Sequence, residues 1–220
     1  MCVETTFNYG FAMENLDFPK ACRSLRQRDP IMRKAIKRVG PCTFDVDRNG
    51  FRMLVRSIVG QQLSTSAAAT IWERLLVLNG SRRVSPGKML LFSAAQLREV
   101  GLSKAKCRAV LSIARSVVAR EVRLNELQRL GDDEVTAELI KLRGVGPWTA
   151  QMYLMFSLGR PDVFPTGDLG IVNAVTALYA FTDRASETEM LDIAESWRPY
   201  RTIASWYLWQ ALDLLRDGEW

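Results

Sequence analysis

The chain of 220 residues, with 48% hydrophobic and 25% charged residues, has the length and composition of one large domain or two small lobes, which excludes disordered, collagen-like and low-complexity proteins. It contains no histidine, which excludes Ser-His-Asp and Cys-His catalysis within the chain, and its four cysteines form no C-x-x-C pair that would predict a zinc ribbon or an iron–sulphur cluster. The formal net charge of +6 at pH 7 favours a polyanionic partner, with nucleic acid first.

Apolar residues recur with helical spacing along the chain, and no stretch alternates long enough to predict a strand, so we expect an all-α fold. Residues that cap or open the predicted helices are Asp17, Asp29, Ser64, Ser93, Ser103, Asp168 and Ser186. The helix after the loop at residues 43–49 is predicted to bury Phe51, Leu54, Val55, Ile58 and Val59. The next two long helices are predicted to bury Ala68, Ile71, Leu75 and Leu78, and then Cys107, Val110, Leu111, Ala114, Val117 and Val118. The last helix, starting at Pro199, is apolar almost all round and is predicted to be central.

Two tight connections stand out between these helices. Residues 60–64, Gly-Gln-Gln-Leu-Ser, predict a helix-to-helix corner. Residues 142–146, Leu-Arg-Gly-Val-Gly, lie between a helix at residues 132–141 and one that starts at Pro147 and is predicted to stop at Gly159. Two glycines in this turn let peptide amides approach a phosphate closely, and the following helix adds its positive end. The turn therefore predicts a hairpin that holds a nucleic-acid backbone, although an ordinary helical hairpin also accounts for a lone G-x-G.

The hairpin is followed, 22 residues after Gly146, by Asp168 at the end of a turn-rich loop, residues 159–167. This combination resembles the helix-hairpin-helix DNA glycosylases, and within that superfamily the AlkA-type 3-methyladenine DNA glycosylases. Further segments resemble the family in the same order, so that the resemblance runs from about Asp17 to Trp209: residues 58–64, residues 103–106, and Arg-Pro-Tyr-Arg at 198–201 with Trp209.

The resemblance implies a fold of two helical lobes that flank a DNA-binding cleft. Lobe one covers about residues 41–160, and lobe two is formed by about residues 15–40 together with residues 161–220, within a single unit of residues 1–220. Some relatives carry an extra N-terminal β-containing lobe, for which this chain is expected to have no room.

The resemblance also assigns the site residues. Asp168 matches the catalytic carboxylate, which stabilises positive charge on the deoxyribose and orients water; it can at the same time be a helix N-cap. In the corner, Gln62 is the favoured residue to fill the space of a flipped base, and Leu63 is the alternative. The residues expected to bind DNA are Gln61, Gln62, Leu63, Ser103, Lys106, Arg143, Gly144, Val145, Gly146 and Thr149.

The expected base pocket contains Trp148, Met152 and Trp209. Its aromatic faces favour a cationic alkylated base, although buried tryptophans also serve as core residues. Met152 replaces an aromatic residue of the family pocket, which leaves the range of substrates open. Trp148 occupies the position of the nucleophilic lysine of the glycosylase-lyases, so no strand cleavage through a Schiff base is expected.

The expected activity is therefore that of a monofunctional glycosylase in base excision repair, which flips alkylated purines, 3-methyladenine first and 7-methylguanine second, hydrolyses their glycosidic bond and leaves an abasic site. Alternatives are a glycosylase for etheno, deaminated or mismatched bases, a catalytically silent DNA-damage-binding protein, and an unrelated helical scaffold. The expected partner is double-stranded DNA, bound by a monomer that needs no cofactor. A monovalent cation at the carbonyls of Leu142 and Val145 is an open alternative to a hairpin without metal.

Charge and targeting signals agree with a nucleic-acid partner in the cell interior. Residues 20–38 contain eight Lys or Arg against one acidic residue, residues 80–123 contain ten against two, and the balance reverses after Asp183. The segment from Met1 to Asn15 has no basic region followed by an apolar core, so no secretory signal is predicted. No apolar run is long enough to predict a membrane span, and the expected location is the cytoplasm, or the nucleus of a eukaryote.

Overall fold

Helices follow one another through the part of the chain that the computed structural model describes, residues 17–220, and no strand is present within those residues. The predicted all-α fold is confirmed. In chain order the helices are α1 (Phe18–Arg28), α2 (Pro30–Val39), α3 (Gly50–Gly60), α4 (Thr65–Asn79), α5 (Pro86–Met89), α6 (Ala94–Glu99), α7 (Lys104–Val118), α8 (Asp132–Leu139), α9 (Pro147–Phe156), α10 (Leu169–Leu178), α11 (Glu187–Glu195) and α12 (Arg201–Arg216). The prediction about a secretory signal in Met1 to Asn15 concerns residues outside the described range.

Side-chain caps set where most of these helices begin, because the first amides of a helix have no partner within it. The predicted capping residues are confirmed as Asp17 on α1, Asp29 on α2, Ser64 on α4, Ser93 on α6, Ser103 on α7, Asp168 on α10 and Ser186 on α11. At α6 the Ser93 hydroxyl accepts from the Gln96 amide while the Gln96 side chain accepts from the Ser93 amide, a reciprocal capping box.

Residues 47–158, which contain α3 to α9, form one compact unit. Helix α3 is at its centre, since it contacts α4, α7 and α9. The predicted buried face of α3 is confirmed, with relative exposures of 4% or less for Phe51, Leu54, Val55, Ile58 and Val59. Met53 and Ser57 are buried in addition, so α3 is enclosed on more than one face.

Residues 17–46 and 159–220 form a second compact unit. Helix α12 contacts α1, α2 and α10 and buries Ile203, Tyr207 and Leu208 completely. The Tyr207 hydroxyl donates to the Gly40 carbonyl at 3.0 Å, which ties α12 to the end of α2. These contacts confirm that the last helix is central to the unit that contains it.

Two predicted helix faces were wrong in part. In α4 the buried residues are Trp72, Leu75, Leu76 and Asn79, whereas the predicted Ala68, Ile71 and Leu78 are only half-buried. The large Trp72 ring turns the buried face, and Asn79 accompanies it because its side-chain amide donates to the carbonyls of Ser81 and Arg83.

The predicted face of α7 extended too far toward its C-terminus. Val118 is 55% exposed, while Leu111 and Val117 are half-buried. Ala109 and Ile113, which the prediction missed, are buried instead. The helix boundaries also differ slightly from the prediction: α8 ends at Leu139 and α9 at Phe156, and α12 begins at Arg201 rather than Pro199.

None of the helices among the described residues combines the length and the hydropathy that a bilayer-spanning helix requires.

Candidate functional site

The turn between α8 and α9 is shaped by one glycine and two buried aliphatic side chains. Leu142 and Val145 are 4% and 6% exposed, and the Val145 amide donates to the Leu142 carbonyl at 3.1 Å. Gly144 has φ +85°, and a Cβ there would lie 2.6 Å from the Ala109 Cβ on α7. Only glycine fits at this position, because both the backbone conformation and the contact with α7 exclude a side chain.

Gly146 is different, since neither its conformation nor its surroundings require glycine. Its φ is −110°, and no atom lies within 4 Å of a Cβ built on it. It is the N-cap residue of α9, and no side chain caps that helix. Pro147 follows at the first helical position and has no amide hydrogen. The start of α9 therefore has uncapped amides, a positive helix end and open space in front of it.

The corner at residues 60–64 exposes the two side chains that were predicted to enter DNA. Leu63 is 40% exposed and Gln62 is exposed with φ +56°, a left-handed conformation uncommon outside glycine. The Leu63 amide donates to the Gly60 carbonyl at 3.2 Å, which closes the turn. Both side chains are therefore accessible to a duplex, and which of them enters a base stack stays a prediction.

Three other residues that were predicted to bind DNA make hydrogen bonds inside the same unit. The Gln61 side-chain amide donates to the Gly144 carbonyl and to the Thr149 hydroxyl, both at 3.0 Å. Thr149 is only 1% exposed. The Lys106 ammonium donates to the carbonyls of Val59 and Gln61 at 2.8 and 2.7 Å, and its burial lowers the pKa of that amine below its usual value. Corner and hairpin are thus bonded to each other.

Ser103 and Arg143 complete the predicted DNA-binding residues. The Ser103 hydroxyl caps α7 by accepting from the Lys106 amide, and Ser103 remains exposed. The Arg143 side chain is exposed beside Gly144 in the hairpin turn. Both residues are therefore accessible to a polyanion.

In the other unit, the Asp168 carboxylate is held by a backbone donor and a side-chain donor. Its Oδ1 accepts from the Ile171 amide, which caps α10, and from the Trp209 indole Nε1, each at 2.9 Å. A Cβ at Gly170 would lie 3.0 Å from Asp168 Oδ1 and 3.0 Å from Trp209 Cδ1, tighter than most contacts of a Cβ atom, so one of these neighbours would have to shift. Gly170 thus makes room for the ring beside the carboxylate, and Asp168 is both a cap and an oriented, half-exposed carboxylate.

The loop before Asp168 is anchored to the start of α12. The Asp162 carboxylate pairs with Arg201 and with Arg198, with hydrogen bonds of 2.8 Å to each. The buried Thr202 hydroxyl donates to the Arg160 carbonyl at 2.7 Å and accepts from the Val163 amide at 3.0 Å. These bonds determine the path of the loop and therefore where Asp168 emerges.

Gly170, Asp162 and Thr202 also contribute to this site, although they were not predicted from the sequence. A signal existed for Gly170, because a glycine within a helical pattern costs about 1 kcal/mol relative to alanine, and a packing requirement is one way to account for that cost. The other two act through partners about 40 residues away, which no local pattern indicates.

The predicted pocket residues lie in both units. On α9, Trp148 is half-buried and Met152, one turn later, is 5% exposed. On α12, the half-buried Trp209 bonds to Asp168 as described. The structure thus brings Trp209 to the carboxylate, and the roles of these residues toward a base stay a prediction.

Among residues 17–220, no three Cys, Asp or Glu side chains lie close enough together to hold a metal ion. The Leu142 carbonyl accepts one hydrogen bond within the turn, which leaves a second lone pair for a cation. A monovalent ion held by the carbonyls of Leu142 and Val145 stays a prediction.

Comparison with known proteins gives a consistent result. The model of the HhH-GPD superfamily base excision DNA repair proteins matches residues 55–199. The Schizosaccharomyces pombe alkylbase DNA glycosidase-like protein mag2 is 28% identical over 92% of this chain and 98% of its own length. Bacillus subtilis YfjP is 32% identical over 76% of this chain, which spans only 61% of YfjP.

Solved structures extend the similarity to three dimensions. The 3-methyladenine DNA glycosylase Mag1 from S. pombe, determined in complex with abasic DNA, superimposes with a TM-score of 0.80 and 30% identity, covering 89% of this chain and 97% of that one. The DNA-3-methyladenine glycosidase of Bacillus halodurans gives a TM-score of 0.72 at 30% identity over 94% of each chain. Because the family model spans more than half of the chain, including corner, hairpin and Asp168, the chain belongs to the HhH-GPD superfamily of base excision DNA repair proteins.

Proposed function

We propose that the protein is a monofunctional DNA glycosylase of base excision repair that removes alkylated purines, 3-methyladenine first and 7-methylguanine second, and leaves an abasic site. The observation that carries this proposal is the Asp168 carboxylate, oriented by the Ile171 amide and the Trp209 indole within a chain of this superfamily. The relatives named as 3-methyladenine glycosylases support the choice of substrate.

Double-stranded DNA is the proposed partner, and the hairpin is its anchor. The uncapped amides at the start of α9 suit a phosphate oxygen, and the open space at Gly146 admits it. The exposed side chain of Arg143 adds a cation beside the turn. Contacts of this kind fix the position of the duplex without reading its sequence, as an enzyme that searches for damage requires.

Extraction of the damaged base is assigned to the corner. Gln62 is the proposed residue that enters the space left by the flipped nucleotide, with Leu63 next to it as the alternative. Unstacking and unpairing cost least at a damaged base, so the cost of flipping is smallest at the lesion. The resemblance assigns Trp148, Met152 and Trp209 to the pocket for the extruded base, where a cationic purine gains about 1 kcal/mol or more from aromatic faces.

Asp168 would then stabilise the transition state. As the bond from C1′ to the base nitrogen breaks, its electron pair leaves with the base, and a base that was cationic departs neutral. Positive charge develops on the sugar, and a fixed carboxylate lowers its energy. Water adds to C1′ and loses a proton, which completes the hydrolysis. Trp148 supplies no amine at the position of the lyase lysine, so we expect no Schiff base and no strand cleavage.

The remaining predictions belong to the same proposal. We propose that lobe one is formed by about residues 41–160 and lobe two by about residues 15–40 together with residues 161–220. We further propose that the protein acts as a monomer in the compartment that holds the DNA, the cytoplasm or a nucleus.

The decisive experiment is base release from methylated duplex DNA by the wild type and by Asp168→Asn. Asparagine is as good an N-cap as aspartate, so the variant keeps the α10 cap while losing the charge. We expect release of 3-methyladenine by the wild type, and release by the variant slowed about 100- to 1,000-fold with duplex binding retained.

Three results would contradict the proposal. A wild type that binds DNA but releases no methylated purine would favour another lesion, to be tested with etheno and deaminated substrates, or a silent damage-binding protein. An equally active Asp168→Asn variant would remove the carboxylate from the mechanism. A covalent adduct trapped by borohydride would contradict the monofunctional assignment.

A further inference from the structure

The corner at residues 60–64 is held by a lysine from another helix. The Lys106 ammonium on α7 donates to the carbonyls of Val59 and Gln61, which lie at the C-terminal end of α3. These carbonyls carry the partial negative charge of a helix end, where a cation is stabilising. Two of the three donors of this ammonium are therefore used on the backbone of the corner.

A second side chain joins the same corner to the hairpin. Both hydrogen bonds donated by the Gln61 amide, to the Gly144 carbonyl and to the Thr149 hydroxyl, end on the turn before α9 or on its first turn. Thr149 is 1% exposed, so this connection is an internal one. The hairpin turn and the corner consequently share a direct polar link.

Gln62 directly follows these attachments along the chain, in a backbone conformation that needs support. Its φ of +56° is rare for a residue with a side chain, and its own turn contributes one backbone bond, from the Leu63 amide to the Gly60 carbonyl. The attachments through Lys106 and Gln61 hold the backbone immediately before it. The result is that Gln62 and Leu63 both stand exposed.

We propose that Lys106 and Gln61 are positioning residues that fix the corner to the hairpin, so that Gln62 and Leu63 are held ready for insertion when the hairpin takes a phosphate. Lys106 would thus act on the duplex through the corner instead of through a phosphate contact of its own. The inference rests on the proposed glycosylase function. It adds that the residues that open the duplex are already held in position before DNA binds.

The test compares Lys106→Met with Lys104→Met. Lys104 is exposed on the first turn of the same helix, so both changes remove one positive charge from the same region. Single-turnover excision of 3-methyladenine is measured with saturating enzyme, together with affinity for undamaged duplex and the fluorescence of 2-aminopurine next to the lesion. We expect Lys106→Met to excise about 10- to 100-fold more slowly than Lys104→Met and to lose the fluorescence rise, at equal affinity.

A double-mutant cycle separates positioning from general damage to the fold. If Lys106 acts through the inserted residue, Lys106→Met should slow excision much less in a Gln62→Ala background than in the wild type. Gln61→Met removes the hydrogen bonds that link the corner to the hairpin, and it should likewise lose the fluorescence rise. Melting temperatures of all variants show whether folding is retained, and Gln61→Met carries the test if Lys106→Met unfolds.

Several outcomes would overturn the inference. Equal excision by Lys106→Met and Lys104→Met would do so while leaving the glycosylase function intact. Weaker binding of undamaged duplex by Lys106→Met alone, with unchanged excision at saturation, would make Lys106 a phosphate contact. If the wild type excises nothing, the proposed function fails, and an equal 2-aminopurine response in all variants then rejects the positioning role as well.

Discussion

Helices α9 and α10 begin in opposite ways. At α9 the N-cap residue is Gly146, whose lack of a side chain leaves the first amides uncapped and the space before them open. At α10 the N-cap residue is Asp168, whose carboxylate accepts from the Ile171 amide and is oriented further by Trp209. A helix N-terminus therefore presents positive charge at α9, in one unit, and a negative side chain at α10, in the other.

This difference shows how one helical scaffold can serve two kinds of charge. A phosphate backbone needs exposed donors, which a glycine cap leaves available. A sugar that becomes positive needs a fixed anion, which an aspartate cap supplies. Capping is usually considered as a source of stability, but here the choice of cap residue also sets the sign of the charge that each helix end can stabilise.

The largest effect is expected from removing the charge at α10. Asp168→Ala and Asp168→Asn should both slow single-turnover excision by about 100- to 1,000-fold, because each removes the anion. Asp168→Ala should in addition lower the free energy of unfolding by about 1 kcal/mol relative to Asp168→Asn, since alanine cannot cap. Urea titration measures the difference. Equal stability of the two variants would show that the α10 cap contributes nothing.

The next effect concerns the shape of the hairpin turn. Gly144→Ala should lower the free energy of unfolding by about 2 to 4 kcal/mol, because its Cβ would meet the Ala109 Cβ in a left-handed backbone conformation. Gly146→Ala is the matched control and should leave stability nearly unchanged, because no atom lies within 4 Å of its Cβ. Thermal and urea unfolding compare the two, and similar losses would mean that the turn does not need the α7 contact.

The third effect concerns the N-terminus of α9, which an aspartate at residue 146 would cap in the way that Asp168 caps α10. Gly146→Asp gives α9 a side-chain cap and places a negative charge where a phosphate would bind. We expect no loss of melting temperature and an affinity for duplex DNA that falls about 10- to 100-fold, the value of one charged hydrogen bond. The affinity of Gly146→Ala for duplex DNA should fall less than that of Gly146→Asp, since alanine adds neither a cap nor a charge. An unchanged affinity of Gly146→Asp would remove the start of α9 from the DNA interface.

The smallest effect is expected from the second donor to Asp168. Trp209→Phe retains an aromatic ring but loses the Nε1 hydrogen bond, and it should slow excision about tenfold. Trp206→Phe, a half-buried tryptophan on the same helix, is the control and should retain the wild-type rate. If both variants are equally active, the indole does not orient the carboxylate in a way that matters for the reaction.

Sequence alone was sufficient for the features that depend on neighbours along the chain. The caps at Ser93, Ser103 and Ser186, and the buried face of α3, follow from residues a few positions apart. The face of α4 did not follow, because it buries an asparagine whose side-chain NH2 group donates to the carbonyls of the next loop, and no apolar periodicity indicates such a residue. The four-residue helix α5 is too short to produce a periodic pattern.

In the candidate site too, features set by neighbours along the chain were predictable and features set by tertiary contacts were not. The residues themselves came from the resemblance, and the capping role of Asp168 followed from its position before an apolar run. The bond between Asp168 and Trp209 joins residues 41 positions apart, and those of Gln61 reach 83 and 88 positions along the chain. Such partners are set by tertiary packing, so a polar residue whose chemistry suits a DNA contact can instead be hydrogen-bonded within the protein.

The unit that contains Asp168 is built from two separate stretches, residues 17–46 and 159–220, whereas residues 47–158 are continuous. On a ribosome that adds roughly 5 to 20 residues per second, α2 must wait for α12, one of the helices that it packs against, while its apolar side chains Met32 and Ile36 are only partly covered. Residues 47–158 can meanwhile complete their core. The order of synthesis therefore lets the unit with the hairpin fold before the unit that contains Asp168. A nascent chain arrested before α12 would expose apolar helix faces to chaperones.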